Sequence, residues 1–228
     1  MYNWFAVTDE RNIAASGWHV ATADANLGWG IGAFDSDIGR LIKYLDPSIG
    51  EASSSILAAQ KMMDDDTYWD YSNGNNLSKF NARGSGRRGV SSSDGSYNNL
   101  KAVSDMWVIT DLFQDAIYNT YVQIYGPTPS ILYPLYYGGS TLEKWKGLAV
   151  RLVKDSTTLS HGETGVYVGN DGKRYRTICI GTQEWLADNL AETKYRNGDA
   201  IPEVTDNASW TTLTTAALCA YNNDWNNV

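Results

Sequence analysis

The chain predicts an α+β domain with short antiparallel sheets, one or two helices and long ordered loops. Three observations predict it. Ile38, Leu41, Ile42 and Leu45 fall at i, i+3, i+4 and i+7, the spacing of one buried helix face. The runs Val166-Tyr167-Val168 and Arg174 to Ile180 flank Gly169-Asn170-Asp171-Gly172, a hairpin turn whose residues accept positive φ. The composition sets 15 Tyr and 9 Trp beside 21 Gly, with 5 Pro and 4 Phe. Aromatics with polar tips among turn formers suit short strands and loops that display Tyr and Trp.

The elements follow in chain order. Asp35 or Ser36 can cap the open amides of the first helix. A second helix is expected within residues 53–63, with Ile56, Leu57, Ala59, Met62 and Met63 as its apolar set at less regular spacing. Residues 64–97 are dominated by Asp, Ser, Asn, Gly and Arg and read as long loops, which are uncommon without a function. Between Asp105 and Trp145 aromatics become dense: Trp107, Phe113, Tyr118, Tyr121, Tyr125, Tyr133, Tyr136, Tyr137 and Trp145. Leu148, Val150 and Leu152 alternate with Ala149, Arg151 and Val153, which predicts a strand with one buried face. Residues 156–164 form a polar connector; after the hairpin, residues 183–187 continue as another short strand.

At 228 residues and 43% hydrophobic content the chain can bury a sizeable core as one domain, or one and a fragment. A net charge of -8 with 18 Lys plus Arg removes the footprint that phosphate recognition needs, so neither nucleic acid nor an anionic membrane is an expected partner. No apolar run approaches bilayer length, so membrane insertion is not expected either. Met1-Tyr2-Asn3-Trp4 lacks the regions of a signal peptide. Extracellular work would then need export by other residues or another pathway, or release within a virion. Cys179 and Cys219 allow one bridge or two buried free thiols.

Several phrases match a family in an unexpected order. Residues 175–190, Tyr-Arg-Thr-Ile-Cys-Ile-Gly-Thr-Gln-Glu-Trp-Leu-Ala-Asp-Asn-Leu, resemble the "VKIGxQxWMAENL" opening of the Fibrobacter succinogenes major paralogous domain. Lys194-Tyr195, Gly198, Ala200-Ile201-Pro202, Trp210 and residues 221–224 resemble its continuation. Earlier in the chain, Tyr2-Asn3-Trp4-Phe5-Ala6-Val7, Ser16-Gly17-Trp18-His19-Val20-Ala21-Thr22 and Asp94-Gly95-Ser96-Tyr97 resemble later phrases of that family. Residues 147–155 resemble its closing "GFSVRCVKD" strand. This order implies that 1–155 are the central and C-terminal part of a domain and 156–164 a connector. Residues 165–228 would then be the N-terminal part of the same domain, circularly permuted, or of the next one in a tandem or exchanged arrangement.

The resemblance implies a C-type lectin-like fold, shared with formylglycine-generating enzymes and with hypervariable receptor-binding proteins of phages and bacteria. Where the family often carries two cysteines this chain has Ala14-Ala15-Ser16 and Leu152, so apolar packing around Leu152 must replace a bridge. In the related binders the variable residues precede the final strand. That implies a contact surface here within residues 105–146, with Tyr118, Tyr121, Tyr125, Tyr133, Tyr136 and Tyr137 as ligand-binding residues and Trp107 and Trp145 packed beneath.

Catalytic signals are sparse. Gly84-Ser85-Gly86-Arg87-Arg88-Gly89 spells a dinucleotide motif but lacks the flanking hydrophobic strand and helix, and reads as a surface turn. His19 and His161 are the sole histidines, and His19 within its phrase reads as a hydrogen-bonded structural residue. Asp64-Asp65-Asp66 with Trp69-Asp70 leaves calcium as the one cofactor in view, against the plainer reading of a solvated acidic face. The expectation is therefore a non-catalytic extracellular module on a virion or cell surface, such as a phage tail fibre receptor-binding protein or an adhesin, recognising a surface protein or glycan. The alternative is a structural subunit whose 165–228 segment exchanges with homo-oligomer or fibre neighbours.

Overall fold

The computed structural model describes residues 1–23, 35–50, 54–64, 66–71, 74–89, 94–110, 119–128, 130–137 and 144–227. The protein is α+β, with few helices and two sheets among the described residues. Its elements are α1 (Trp4–Val7), β1 (Trp18–Val20), α2 (Asp37–Leu45), β2 (Ser54–Ser55), α3 (Ile56–Met62), β3 (Ser85–Arg88), β4 (Tyr97–Leu100) and β5 (Val103–Val108). There follow β6 (Asn119–Tyr125), β7 (Ser130–Tyr137), β8 (Ala149–Val150), β9 (Leu152–Lys154), β10 (Thr164–Val168), β11 (Arg174–Ile180), β12 (Gln183–Leu186) and α4 (Asn207–Thr211).

The helices form where local chemistry allows. In α2 the Ser36 hydroxyl accepts from the Gly39 amide at 3.0 Å, and Ile38, Leu41, Ile42 and Leu45 are all buried as their spacing predicts. In α3 Ser55 caps Ala58 in the same way, but the buried face is Ala58, Ala59 and Met62. Ile56 and Leu57, expected in that face, are 60% and 40% exposed. Pairing of Ser54 and Ser55 with Leu132 and Ile131 of β7 fixes where the helix starts, and its first turn projects past the sheet.

The five-stranded sheet runs β1-β9-β12-β11-β10, so strands 174–180 and 183–186 lie in one sheet with 18–20 and 152–154. The hairpin forms where expected, with Gly172 at φ +86° in its turn. The larger sheet runs β2-β7-β6-β5-β3-β4, with β8 pairing β5 in parallel. Ile178, Ile180 and Trp185 pack with Met106, Val122, Val153 and the buried face of α2 in one cluster. Leu186, Tyr195 and Ile201 join Tyr2, Trp18, Trp107 and Val150 in another. Ala14 and Leu152 also sit in that second cluster, where each buried apolar side chain of leucine size contributes about 2 kcal/mol.

Two expectations are corrected. Residues 148–153 are buried on both faces rather than one, interrupted at Arg151, which is 1% exposed. Its guanidinium donates to the carbonyls of Phe80, Leu186 and Asn81 and to Asn189 Oδ1, at 2.8–2.9 Å, and lies 4.6 Å from the centre of the Phe80 ring. The Gly84–Gly89 run is not a surface turn: residues 85–88 are the strand β3, between β4 and β5. Gly86 takes φ +63°, and a Cβ there would lie 2.6 Å from the Asn98 carbonyl oxygen. Arg88, fully buried, donates to the carbonyls of Gly95, Val204 and Thr205 and to Asn207, with Trp210 4.2 Å away. A charge satisfied this completely by carbonyls can be buried where an unpaired one could not. Among the described residues no helix is long and apolar enough to cross a membrane.

Candidate binding surface

Of the six tyrosines, the side chains of Tyr121 and Tyr125 lie within the described residues, and the two do not share a surface. Tyr121 is 2% exposed and stands edge-on to Trp107 at 6.1 Å, with Trp4 on the same indole at 5.2 Å; it is core, not display. Trp107 and Trp145 are buried as expected. Tyr125 ends β6 and is 39% exposed. Tyr133, Tyr136 and Tyr137 belong to β7, whose backbone pairs Tyr136 with Thr120 and Tyr137 with Asn119. Tyr125 instead pairs with Ser130. At about 3.3 Å per residue the Tyr136 row lies about 17 Å along β6 from Tyr125. Tyr118 lies outside the described residues.

The end of the large sheet marked by Tyr125 collects other exposed apolar side chains. Register brings Ser55, Ser130, Tyr125, Val103, Ser85 and Leu100 to that end of β2, β7, β6, β5, β3 and β4. Ile56 and Leu57 follow β2 there, and Leu100 is 39% exposed. The loop carrying Tyr71, 41% exposed, is tied to the same end because the Asp70 amide donates to the Lys101 carbonyl at 3.0 Å. Six strands at about 4.8 Å spacing make a strip about 24 Å long.

The strip is held rigidly from below. Trp69 is 3% exposed, its Nε1 donates to the Ala82 carbonyl at 2.8 Å, and a Cβ at Gly126 would come within 2.9 Å of its ring. The Gly126 amide donates to the Ala102 carbonyl and the Gly84 amide to that of Tyr68. At one margin the Arg83 guanidinium covers the Tyr68 ring at 3.9 Å and pairs with Asp64 at 3.3 Å. Tyr125 is the one member that sequence reasoning selected. Ile56 and Leu57 carried a helical core signal, while Tyr71 and Leu100 carried none.

The histidines and cysteines are held by hydrogen bonds or burial. His19 Nδ1 lies 2.6 Å from Asp155 and Nε2 2.9 Å from Asp37, a hydrogen-bonded structural placement. The bond with Asp37, opposed by burial and aided by Asp155, raises the imidazole above its ordinary range. Burial works against ionised Asp37, but hydrogen bonds from His19 and Thr22 prevail and bring it down to about 2. His161 accepts from the Gly181 amide and its ring meets Tyr44 at 5.0 Å. Both cysteines are free and buried, and burial pushes the Cys179 thiol up, with Glu184 and Glu163 adding to it.

Of the acidic run, Asp65 and the side chain of Asp66 lie outside the described residues. Asp64 bonds Asn76 and Arg83, and Trp69 is core. Among the described residues no group of three His, Cys, Asp or Glu is placed to hold a metal ion.

The family model of the Fibrobacter succinogenes major domain matches residues 1–154. The match stops before the 175–190 phrase, whose strands nevertheless pair into the same sheet. No curated protein and no solved structure matches the chain.

Proposed function

Since the chain belongs to the Fibrobacter succinogenes major domain family, we propose that it is a C-type lectin-like binding module that works without catalysis on a cell or virion surface. Its ligand is a surface protein or glycan, as for an adhesin or a phage tail fibre module. The observation that carries this is the strip of Ile56, Leu57, Tyr71, Leu100 and Tyr125 at one end of the large sheet. Large apolar side chains exposed together on a helix start, strand ends and a loop packed over a buried tryptophan give contact area at small entropic cost, which is what recognition requires. His19, Cys179 and the Asp171–Glu192 pair, the residues best suited to acid, base or nucleophile chemistry, are instead bound into packing.

Glycan and protein arrays probed with Tyr71→Ala and Tyr125→Ala variants test this reading. Loss of an exposed aromatic anchor is expected to weaken binding by about tenfold or more. Retained binding by both, with loss on Tyr136→Ala or Tyr137→Ala, would move the site to the opposite end of β7.

A further inference from the structure

We infer that β10 is a self-complementary edge through which two copies of this chain pair into one continuous sheet. β10 is the last strand of the five-stranded sheet and has β11 on one side only. The Cys179 amide donates to Glu163 at 2.9 Å and the Gly169 amide to Lys173 at 2.8 Å, which sets the phase of the ladder. In an antiparallel ladder hydrogen-bonded pairs alternate, so 163, 165, 167 and 169 face β11 while Thr164, Val166 and Val168 face away. The backbone N–H and C=O groups of those three have no hydrogen-bond partner among the described residues.

The side chains suit an interface as well. Val166 and Val168 are 51% and 49% exposed. Thr164–Val168 contains none of the Lys, Pro or bulge features by which edge strands resist pairing. The edge is also stiff at its tip, because the Glu192 carboxyl accepts from the amides of Asn170 and Asp171 in the turn.

The symmetry of the edge selects the partner. Three outward residues centred on Val166 can meet an identical strand about a two-fold axis, each Thr164 opposite Val168 and Val166 opposite Val166, closing about six backbone hydrogen bonds. Every hydrogen-bonded cross-strand pair is then β-branched, a favourable combination on a pleated surface, with Gly165 opposite Tyr167 between them. Charges do not oppose it. Arg176, opposite Val166 on β11, is neutralised by Asp188, with Nε 3.0 Å from Oδ2.

Sedimentation across a concentration series, combined with residue-resolved amide exchange on the full chain, tests this. Expected is a rise from 25.2 kDa to twice that mass, with the amides of Thr164, Val166 and Val168 becoming protected as it occurs. Val166→Lys, at an exposed position, should weaken self-association by about tenfold or more because it sets two ammonium groups opposite each other. A chain that stays monomeric, or a dimer in which those three amides still exchange freely, overturns the inference. The exchange readout on the unaltered chain decides the matter even if the lysine variant does not fold.

Discussion

Glu192 is fully buried, and the group its carboxyl meets is another carboxyl, that of Asp171. Burial and then that neighbour raise Glu192 to about 8. For Asp171 burial acts in the same sense, yet hydrogen bonds from Glu192, Thr193 and Lys173 outweigh it and hold the group well below the usual carboxylate range. One proton thus serves two acids and resides on Glu192 at neutral pH. Its stabilising effect is complete below the ordinary value of 4.5 and is lost as pH rises through about 8. Asp171 acts in reverse, losing its contribution only in strong acid. Urea unfolding is expected to show stability falling by up to about 3 kcal/mol between about pH 6 and about pH 9. Glu192→Gln, which stays neutral and keeps an acceptor for Asn170, should flatten that slope. His19, also raised, adds a smaller decline in the same direction, so the slope left in the Gln variant measures its share.

Among the elements, the segment from β8 to β9 depends most on a single side chain. Arg151 ties β9 to the carbonyls of Phe80 and Asn81 on one side and Leu186 on the other, and burial lowers it to about 9. Arg151→Met would leave these buried acceptors unpaired and should cost about 3–5 kcal/mol in chemical denaturation. Arg151→Lys should recover little, since an ammonium cannot span that fork. The same residue shows what sequence could and could not reveal. The face of α2, the Ser36 cap, the β10–β11 hairpin and β12 were legible because each is set by neighbours within a few positions. Arg151 and Arg88 read as surface cations because the carbonyls that satisfy them, that of Gly95 apart, come from 35 or more residues away. β3 was missed for that reason, and because its glycines suggest a turn until the closeness of Asn98 is known. In the binding strip, Tyr125 was readable from the aromatic bias, but Ile56 and Leu57 were not, since helical spacing cannot tell a face from an overhang.

At the scale of the whole molecule, the polar stretch between β9 and β10 connects two segments that pack as one body. The Tyr2 amide donates to the Leu148 carbonyl, the Cys219 amide to that of Met1, and the Leu190 amide to that of Val150, so the segment after the connector contacts both ends of the one before it. Removing everything after Asp155 should therefore abolish cooperative unfolding, as Val153 would lose β12 and Arg88 and Arg151 would lose acceptors. Cutting the chain without discarding any of it should behave differently. Ser160 and His161 are both exposed, and the Met1 amino group lies 2.8 Å from the Cys219 carbonyl; beyond the buried Ala220 and Tyr221, residues 222–226 are exposed and can be continued by a short glycine linker. A rearranged chain that begins at His161, passes through that linker into Met1 and ends at Ser160 keeps every strand pairing of both sheets. It loses the Glu163 amide bond to Ser160 and one turn, and exchanges one loop closure for another of similar length. Because closure entropy grows only with the logarithm of loop length, its stability should lie within about 2 kcal/mol of the parent, with the same near-ultraviolet circular dichroism. Such a chain would carry the 175–190 phrase near its start and the 147–155 strand near its end, the order in which the related phrases run. A rearranged chain that failed to fold would mean that the connector itself holds the two segments in register.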